Sequence, residues 1–514
     1  MTSRDETRAD DEHGAYGSSG SFGYGSYDLI VVGGGPAGST AATAVARRGH
    51  RVLVLERETF PRYQIGESLL PATVHGLCRL LGADEEVAAA GFTLKRGGTL
   101  RWGRDPEPWQ FSFATTPRLP EPTATAFQVE RSRFDEILLR NAERAGAEVR
   151  EGSPVRRVLT VGERVRGVEY TDPDGTPRTA HARFVIDASG NTSRIHGRVG
   201  GARVYSDFFR NLAVFGYYAG GRRLPAPNDG NIFCAAFDAG WLWYIPLRDD
   251  LTSVGAVVSP EHYAAVQNDP RAAWQDMIKA CPEVGRLLTD VPVATEPPYD
   301  RVRVRKDYSY WKTSLWIPGM ALVGDAACFV DPVLSSGVHL ATYGALLAAR
   351  AVNAALEGTV PEERGFAEFE ARYRREYGVF YEFLVAFYDM ERDDDSYFWS
   401  AKKITRVDVD EAAAFAELAG GVASGDTGIP AAGGLGVRWS ASAAELEGAV
   451  GRLASAEDRT NPLLSTRVVA ETFRTGNDLQ EQALYGAPLD GPLPSPSGPG
   501  PLGVTEDGLS WLPA

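Results

Sequence analysis

Hydrophobic positions in the N-terminal part of the chain form a short buried run, a longer helical pattern and a second buried run. The first run covers 27–32 and enters a glycine-rich turn, after which an alanine-rich helical pattern continues to about residue 48. The second run covers 51–55 and ends in Glu56. This order predicts the βαβ unit of a parallel sheet.

The glycine-rich turn fits the G-x-G-x-x-G pattern of a dinucleotide site. Its glycines permit a tight turn, a close approach of the backbone to a pyrophosphate, and close packing of the helix on the strand. The first turn of the helix would offer free N–H groups to the phosphates, and Glu56 stands where an acid hydrogen-bonds an adenosine ribose. The candidate cofactor-binding residues here are Gly33, Gly35, Pro36, Ala37, Gly38 and Glu56.

The later hydrophobic patterns predict a second sheet and a helical C-terminal region. We expect strands within 91–103, 147–187 and 316–323, and helices near 73–81, 133–145, 269–288, 337–356 and 364–420. Residues 203–310 alternate aromatic and polar positions, which predicts a separate sheet inserted into the nucleotide-binding fold. The proline-rich stretch 104–124 is expected to be irregular, and roughly the last 40 residues to form an extended tail.

Composition and charge narrow the functional classes. A net charge of −15 over 514 residues argues against a general nucleic-acid-binding protein, and no stretch approaches the roughly 18 consecutive apolar residues of a membrane helix. Residues 1–26 lack the apolar core of a signal peptide and are expected to be a disordered leader. The histidines form no ligand pair, and the cysteines are scattered without metal spacing, so we expect free buried thiols, a cytoplasmic protein and no metal site. These cysteines are Cys78, Cys234, Cys281 and Cys328.

Two further predicted strands also end in glycine turns, at 187–190 and at 324–337. One such turn would suit any dinucleotide, whereas the set of three suits a flavin that spans the sheet. Asp325 follows a strand and is placed to accept a hydrogen bond from ribityl hydroxyls. The 331–337 loop leads into a helix whose first N–H groups would favour negative charge on a reduced flavin and a small anion beside it.

A tryptophan motif makes the resemblance to one family specific. Residues 241–246 read W-L-W-Y-I-P, and the supporting motifs are G-E-S at 66–68, G-D-A-A at 324–327 and D-P-V-L-S-S-G-V-H at 331–339. Over about residues 27–400 the chain resembles the flavin-dependent halogenases, within the larger group of FAD-dependent aromatic hydroxylases. The W-x-W-x-I-P motif is carried by the halogenases and is absent from the hydroxylases.

The resemblance implies an α/β fold. Its parts are a Rossmann-like FAD-binding domain of the aromatic hydroxylase (glutathione reductase) type, an inserted mixed or antiparallel β-sheet domain, and a helical C-terminal region. The expected bounds are 1–26 for the leader, 27–103, 125–200 and 311–360 for the FAD-binding domain, 104–124 and 201–310 for the substrate-side sheet, and 361–514 for the helical region with its tail.

The resemblance also implies a two-component oxidoreductase. Reduced FAD (FADH2) comes from a separate flavin reductase and, with O2 and chloride, yields hypochlorous acid. Indoles at Trp241 and Trp243 keep the aromatic substrate away from the flavin, and Lys95 hydrogen-bonds the hypochlorous acid or carries its chlorine as a chloramine. A lysine in that role needs a neutral fraction, which burial supplies by lowering its pKa. By motif position, the halide site is Ser336 with Gly337, and the FAD site is completed by Arg131, Asp325, Pro332 and Gly337.

One departure from the family pattern bears on the substrate. Halogenases of free tryptophan carry a glutamate just before the serine of the 331–337 loop, where this chain has Leu334. Because leucine cannot assist an unactivated ring, the expected substrate is an electron-rich ring such as a phenol or a pyrrole. The nearest analogy is the β-tyrosine chlorinases of enediyne antibiotic biosynthesis, whose phenol is tethered to an acyl or peptidyl carrier protein.

A carrier protein is acidic, so its docking surface would be locally basic. Two clusters are candidates, although a basic run is more often an ordinary solvated face: Arg301, Arg303, Arg305 and Lys306, and Arg372, Arg374 and Arg375. Two other enzyme classes share the nucleotide motif. An FAD-dependent aromatic hydroxylase would consume NADPH itself, and a reductase of the geranylgeranyl reductase type needs a greasy tunnel. A flavin-binding module without activity is a further alternative.

Overall fold

Strands and helices alternate along the part of the chain that the computed structural model describes, which is residues 27–102, 108–115, 119, 121–206, 209, 211–237, 239–306, 309–392 and 502–513. The strands are β1 Tyr27–Val32, β2 Val52–Leu55, β3 Thr93–Lys95, β4 Gly97–Arg101, β5 Trp109–Ser112, β6 Ala126–Gln128, β7 Glu148–Arg150, β8 Val155–Val161, β9 Arg164–Thr171, β10 Pro177–Asp187, β11 Arg203–Tyr205, β12 Leu212–Tyr218, β13 Ile232–Phe237, β14 Gly240–Arg248, β15 Leu251–Val258, β16 Arg303–Lys306, β17 Tyr310–Lys312, β18 Trp316–Ile317, β19 Met320–Leu322, β20 Cys328–Phe329, β21 Gly503–Val504 and β22 Trp511–Leu512.

The helices cluster in the first third, in the middle and near the C-terminal end of the described chain. They are α1 Pro36–Ala46, α2 Arg79–Leu81, α3 Asp84–Ala89, α4 Arg131–Arg144, α5 Tyr263–Asn268, α6 Pro270–Ala280, α7 Pro282–Leu287, α8 Ser336–Glu357 and α9 Glu362–Arg392, with a π-helical segment Ala72–Cys78 leading into α2. The predicted leader 1–26 and residues 393–420 of the predicted helical region lie outside the described residues.

The first sheet is mostly parallel and forms the predicted nucleotide-binding fold. Its strands run in the order β18–β19–β10–β1–β2–β7. The five strands from β19 to β7 run parallel to one another, and β18 is antiparallel to β19. The strand β10 is long enough to serve two partners, because its first half pairs with β9 and its second half with β1. The segments of these strands inside the parallel sheet are apolar and buried on both faces, as a parallel sheet between layers requires: Leu29–Val32 of β1, all of β2 and Phe184–Ile186 of β10.

Helices α1 and α8 pack together beside this sheet, and α9 packs on α8. Every residue of α1 is buried, and its alanines and glycine allow the close approach. Gly344 of α8 allows α9 to approach closely in the same way, since a Cβ at this position would lie 2.4 Å from the Tyr373 ring. The expected helix 337–356 is therefore present as α8.

The second sheet has the order β16–β12–β15–β14–β13–β4–β5 and is largely antiparallel. One face is covered by α5, α6 and α7, where Trp274 of α6 is fully buried and donates from Nε1 to the carbonyl of Val254 at 3.1 Å. The other face packs into the same apolar core as the first sheet. This shared core brings side chains of the second sheet close to the carboxyl ends of the parallel strands.

Three details differ from the sequence-based expectations. The single helix expected near 269–288 is interrupted because Pro270 and Pro282 each begin a new helix, the first capped by the Asp269 side chain. The stretch expected to be irregular contains β5, which pairs with β4. The strand β4, expected in the FAD-binding domain, pairs with β13 in the second sheet. The domain bounds as a whole stay a prediction.

The described end of the chain is a small hairpin, β21 and β22, rather than a plain extended tail. Trp511 is fully buried, and the guanidinium groups of Arg350 and Arg372 lie over its ring at 5.0 and 4.6 Å. Asn353 of α8 donates to the carbonyl of Leu509 at 2.7 Å. The hairpin therefore fastens the chain end to α8 and α9. In the described part of the chain, no helix combines the length and apolarity needed to cross a membrane.

Candidate active site

A long cleft follows the carboxyl ends of the parallel strands in the first sheet. It begins at the turn between β1 and α1, where a Cβ on Gly38 would lie 1.8 Å from the carbonyl oxygen of Gly33. Only glycine lets the helix start so close to the strand. Gly35 lines the cleft, and among the described residues only the Arg62 guanidinium, at 3.1 Å, lies within 4 Å of the position of a Cβ there. The space in front of Gly35 is therefore open for a ligand.

Glu56 lies at the same rim, directly after β2. Its Oε2 accepts from the backbone N–H of Gly34 at 2.6 Å, and its Oε1 accepts from that of Glu58 at 2.9 Å. These bonds fix a buried carboxylate beside the glycine turn. An acid in this position has the geometry to bind ribose hydroxyls.

The far end of the cleft is lined by Arg131 and Asp325. The Arg131 guanidinium donates to both carboxylate oxygens of Asp135, at 2.7 and 2.9 Å, and to the carbonyl of Ile65 at 2.6 Å. Asp325 lies on a short turn after β19. Burial raises the pKa of Asp325 to about 6, and the nearby Arg131 guanidinium opposes that rise.

The cleft fits an FAD molecule. It runs from the glycine turn past Ser189 and Gly190 to Asp325, so the predicted nucleotide-binding turn and the predicted ribityl-binding acid line one continuous cleft. The glycine cradle and Glu56 would hold the ADP half, with the pyrophosphate at the N-terminus of α1. Asp325 would lie along the ribityl chain, so a flavin ring would extend beyond it toward α8.

Lys95 ends β3 and is buried, with 2% of its surface exposed. Its Nζ donates to Ser68 Oγ at 2.9 Å and to the carbonyl of Leu69 at 3.0 Å, and it lies 3.5 Å from Ser335 Oγ. Every partner is neutral, and burial lowers the pKa of Lys95 to about 7. The amine is therefore neutral in a substantial fraction of molecules at physiological pH.

The loop before α8 is held by its own backbone. Asp331 Oδ1 accepts from the N–H of Val333 at 3.0 Å, and the carbonyl of Pro332 accepts from the N–H of Ser335 at 3.0 Å. Ser335 adopts a left-handed conformation with φ of 60°. This turn directs its side chain toward Lys95 and starts the helix at the next residue.

Ser336 is the first residue of the 22-residue helix α8 and is 1% exposed. Among the residues that the structure describes, its Oγ has no hydrogen-bond partner. A buried hydroxyl and the free N–H groups of a long helix together suit a small anion. At Gly337 a Cβ would lie 2.7 Å from the Phe329 ring, so a larger residue would crowd this helix start.

Trp241 and Trp243 lie on the face of β14 that points toward the first sheet, and both are buried. Their ring centres are 6.1 Å apart, and Trp102 lies 6.4 Å from Trp241. The indole of Trp243 lies across Gly255 of the neighbouring strand, where a Cβ would come within 2.2 Å of it. The glycine is thus required for the indoles to form a continuous aromatic wall.

A small chamber separates Lys95 from this wall. It has a free volume of about 20 Å³ and is mostly apolar, and its lining residues are Lys95, Gly98, Leu100, Phe111, Ile232, Cys234, Val333, Leu334 and Ser335. Cys234 stands opposite Trp243 in the pairing of β13 with β14, which places the tryptophans one strand away from the chamber. Burial raises the pKa of the Cys234 thiol to about 12, so this thiol stays protonated.

The structure brings most of the predicted FAD residues to one cleft. Its lining includes Gly33, Gly35, Pro36, Ala37, Glu56, Arg131 and Asp325 but not Gly38, Pro332 or Gly337. Lys95 lines the separate chamber together with Ser335, the residue before α8, whereas Ser336, Gly337 and the two tryptophans do not line it. Sequence reasoning missed the partners of Lys95, which are Ser68 and Ser335. The G-E-S motif at 66–68 was the available signal for the first, since a motif serine in a loop beside a strand is a natural hydrogen-bond acceptor.

The two basic clusters differ in exposure. In the second, Arg372 bonds Glu368 and the carbonyl of Leu502, and Arg374 lies over the Trp311 ring at 3.8 Å. Those two arginines therefore stabilise the packing of α9. In the first cluster, Arg301, Arg305 and Lys306 are exposed. All four cysteines are buried free thiols, and the described residues contain no group of ligands that could hold a metal ion.

Comparison with known proteins agrees with this geometry. The tryptophan halogenase family model matches residues 28–121 and 116–428. The tryptophan 2-halogenase of Chondromyces crocatus is 36% identical over 379 residues, 73% of this chain and 70% of that protein. The flavin-dependent halogenase armH4 of Armillaria mellea is 34% identical over 387 residues, 71% of this chain and 72% of that protein.

A solved structure extends the match to nearly the whole chain. The myxobacterial chondrochloren halogenase CndH, described as a variant of the FAD-dependent halogenases, is 49% identical with a TM-score of 0.73 and covers 95% of this chain and 100% of its own. The family model, the relatives and the fold agree with the FAD-type cleft. The chain therefore belongs to the flavin-dependent halogenase family, whose members are oxidoreductases that use FADH2, O2 and a halide.

Proposed function

We propose that this halogenase chlorinates an electron-rich aromatic ring, a phenol of the tyrosine or β-tyrosine type, while that ring is tethered to a peptidyl carrier protein. The observation that carries the proposal is Leu334. This residue is 5% exposed and lines the chamber beside Lys95, and among the described lining residues there is no carboxylate. A ring chlorinated here receives no help from an acid, so it must stabilise positive charge itself, as a phenol does.

Chloride binding is assigned to the start of α8. Ser336 and the N–H of Gly337 supply neutral donors, which hold chloride without a full positive charge that would weaken its nucleophilicity. The unpartnered Ser336 Oγ supports this role. When bound, FADH2 delivered by a flavin reductase supplies with O2 the oxidising power that turns chloride into hypochlorous acid.

The aromatic wall and Lys95 then determine which groups the hypochlorous acid can reach. Trp241 and Trp243 lie on the face of the second sheet that packs toward the first sheet, where their indoles would keep a substrate ring away from the flavin. The chamber leads to Lys95, whose amine hydrogen-bonds hypochlorous acid or takes its chlorine, with water leaving. To take the chlorine, the amine needs a free electron pair, which only its neutral form has. Because the pKa of Lys95 is about 7, this neutral form is well populated.

Support for a carrier-bound substrate comes from the surface. The chain is acidic overall, yet Arg301 and Arg305 are exposed at β16 or just before it, at the edge of the second sheet. An acidic carrier protein would meet a locally positive patch there. The resemblance to β-tyrosine chlorinases supports the same conclusion.

The test presents tyrosine and β-tyrosine both free and loaded on a carrier protein, with FAD, a flavin reductase, NADH, O2 and chloride. Mass spectrometry should show chlorination of the loaded phenol and slow or absent reaction of the free acid. Equal turnover of both forms would contradict tethering. The name of the relative from Chondromyces crocatus makes free tryptophan the second candidate, and efficient tryptophan chlorination would favour it over the phenol.

A further inference from the structure

Glu67 is a buried carboxyl group between the two halves of the site, with 3% of its surface exposed. On one side of it, the carbonyl of Gly66 accepts from the guanidinium of Arg131, which lines the FAD cleft, at 3.3 Å. On the other side, Ser68 Oγ accepts from Lys95 at 2.9 Å. Glu67 therefore stands in the chain between a residue in contact with the cleft arginine and a residue in contact with the chamber lysine.

A chain of hydroxyl groups leads away from Glu67. The Tyr217 hydroxyl donates to Glu67 Oε1 at 2.8 Å, and the Tyr63 hydroxyl lies 2.7 Å from that of Tyr217. Because Tyr217 has one proton and gives it to Glu67, its oxygen accepts the proton of Tyr63. Tyr217 is fully buried, whereas Tyr63 is half-buried on the loop after β2, so the chain runs from the interior toward solvent.

The groups around Glu67 allow it to gain and lose a proton. Burial is the largest influence and raises the pKa of Glu67 to about 7. Ser253 on β15 and Arg131 on α4 act in the opposite direction, while the Glu130 carboxylate adds to the rise. Ser253 Oγ also accepts from the indole N–H of Trp243 at 3.2 Å, which ties Glu67 to the aromatic wall.

Halide oxidation consumes a proton in every turnover. The balance is FADH2 + O2 + Cl⁻ + H⁺ → FAD + HOCl + H2O, in which the flavin and the chloride each give two electrons and O2 takes all four. The O–O bond breaks and an O–Cl bond forms. The chamber is lined mostly by apolar side chains, so this proton needs a separate route into the site.

We propose that Tyr63, Tyr217 and Glu67 form a proton relay that delivers this proton from solvent to the reaction site. Glu67 gives its proton to the oxygen that becomes water, Tyr217 reprotonates the carboxylate, and Tyr63 reprotonates Tyr217. The proposal rests on halide oxidation, which is the activity of the family, and does not depend on which aromatic ring is chlorinated.

The first test follows the proton in the cofactor-free protein by infrared difference spectroscopy between pH 5 and pH 9, a range that brackets the pKa of about 7. A protonated carboxyl band should disappear with a midpoint near 7, in addition to that of Asp325 near 6, and only the band near 7 should be missing in Glu67→Gln. If no band titrates near 7, or if Glu67→Gln keeps that band, the relay is wrong.

The second test measures proton uptake with an indicator dye after O2 and chloride are mixed with the FADH2-loaded enzyme, without an aromatic substrate and with a small amine to trap hypochlorous acid. Glu67→Gln and Tyr217→Phe should slow uptake by about 100-fold, the lower range for a positioned acid, and lower the chlorine trapped. Tyr299→Phe is the control, because its ring packs 4.7 Å from Tyr217 while its hydroxyl bonds Glu130.

Wild-type uptake rates in both relay variants would overturn the proposal, and so would an equal loss in Tyr299→Phe. If Glu67→Gln does not fold, Tyr217→Phe decides the question alone, since it keeps the ring and removes only the hydroxyl. Because no aromatic substrate is present, failure of the phenol or carrier assignment cannot change this result.

Discussion

At the scale of single residues, the site depends on a few positions whose surroundings change their chemistry. Lys95 would be a charged surface group in most contexts, but here burial lowers its pKa to about 7, and its three hydrogen-bond acceptors are all neutral groups. The sequence placed Lys95 by its motif alone. Its hydrogen-bond partners at Ser68 and Ser335 are 27 and 240 residues away along the chain, so no local pattern could have paired them with it.

Gly35 offers a test of the FAD assignment that leaves the fold intact. In Gly35→Ala the new methyl group meets only the flexible end of Arg62 within the protein but occupies the space that a pyrophosphate needs. We expect FAD affinity to fall at least about tenfold, or 1.4 kcal/mol, with unchanged stability. The affinity is measured by titrating FAD with the protein and following the flavin fluorescence. Gly197→Ala is the control, since no atom lies within 4 Å of its Cβ position, and equal affinity in Gly35→Ala would exclude the assigned cradle.

At the scale of elements, the strands and helices with strong periodicity could be predicted, and the failures have local causes. The βαβ unit and α8 agree with their hydrophobic patterns. The region 269–288 has helical composition throughout, but Pro270 and Pro282 lack a backbone N–H and so fit only the first turn of a helix. The strand β5 was missed because its surroundings are rich in proline, and its strand conformation depends on pairing with β4.

The C-terminal hairpin was not predicted as an element, and its stability contribution is testable. Trp511 is fully buried beneath two arginines, so Trp511→Ala should lower the free energy of unfolding by about 3–5 kcal/mol. The neighbouring Leu512 is 39% exposed, so Leu512→Ala should change the free energy of unfolding by less than about 0.5 kcal/mol. The measurement is the urea concentration at the midpoint of unfolding for Trp511→Ala, for Leu512→Ala and for the wild type. Equal midpoints would mean that the hairpin does not stabilise α8 and α9.

At the scale of the whole molecule, function comes from two sheets that share one core. The pairing of β4 with β13 joins residues 98–101 to residues 232–235, and this contact places Lys95 and Cys234 at one chamber, with the tryptophan wall on the next strand, β14. A sequence can suggest that both sheets exist, yet the contact between them is long-range and has no periodic signature. Family resemblance supplied what the pattern could not, namely that Lys95 and the tryptophans act together.

The central claim is that chlorine reaches the substrate through Lys95, and Lys95→Met tests it most directly. Methionine has a similar length and volume and carries no amine. Lys312→Met is the matched control, because Lys312 is an equally buried lysine whose Nζ donates to the carbonyl of Gly200 at 2.6 Å, away from the chamber lining. Both variants and the wild type are given FADH2, O2, chloride and carrier-loaded phenol.

The measurement is the amount of chlorinated product by mass spectrometry, alongside the rate of flavin oxidation. We predict that Lys95→Met loses product by about 10²–10⁴-fold while flavin oxidation continues at the wild-type rate, and that Lys312→Met keeps both. Normal chlorination by Lys95→Met would contradict the account, as would an oxygenated product that forms without halide.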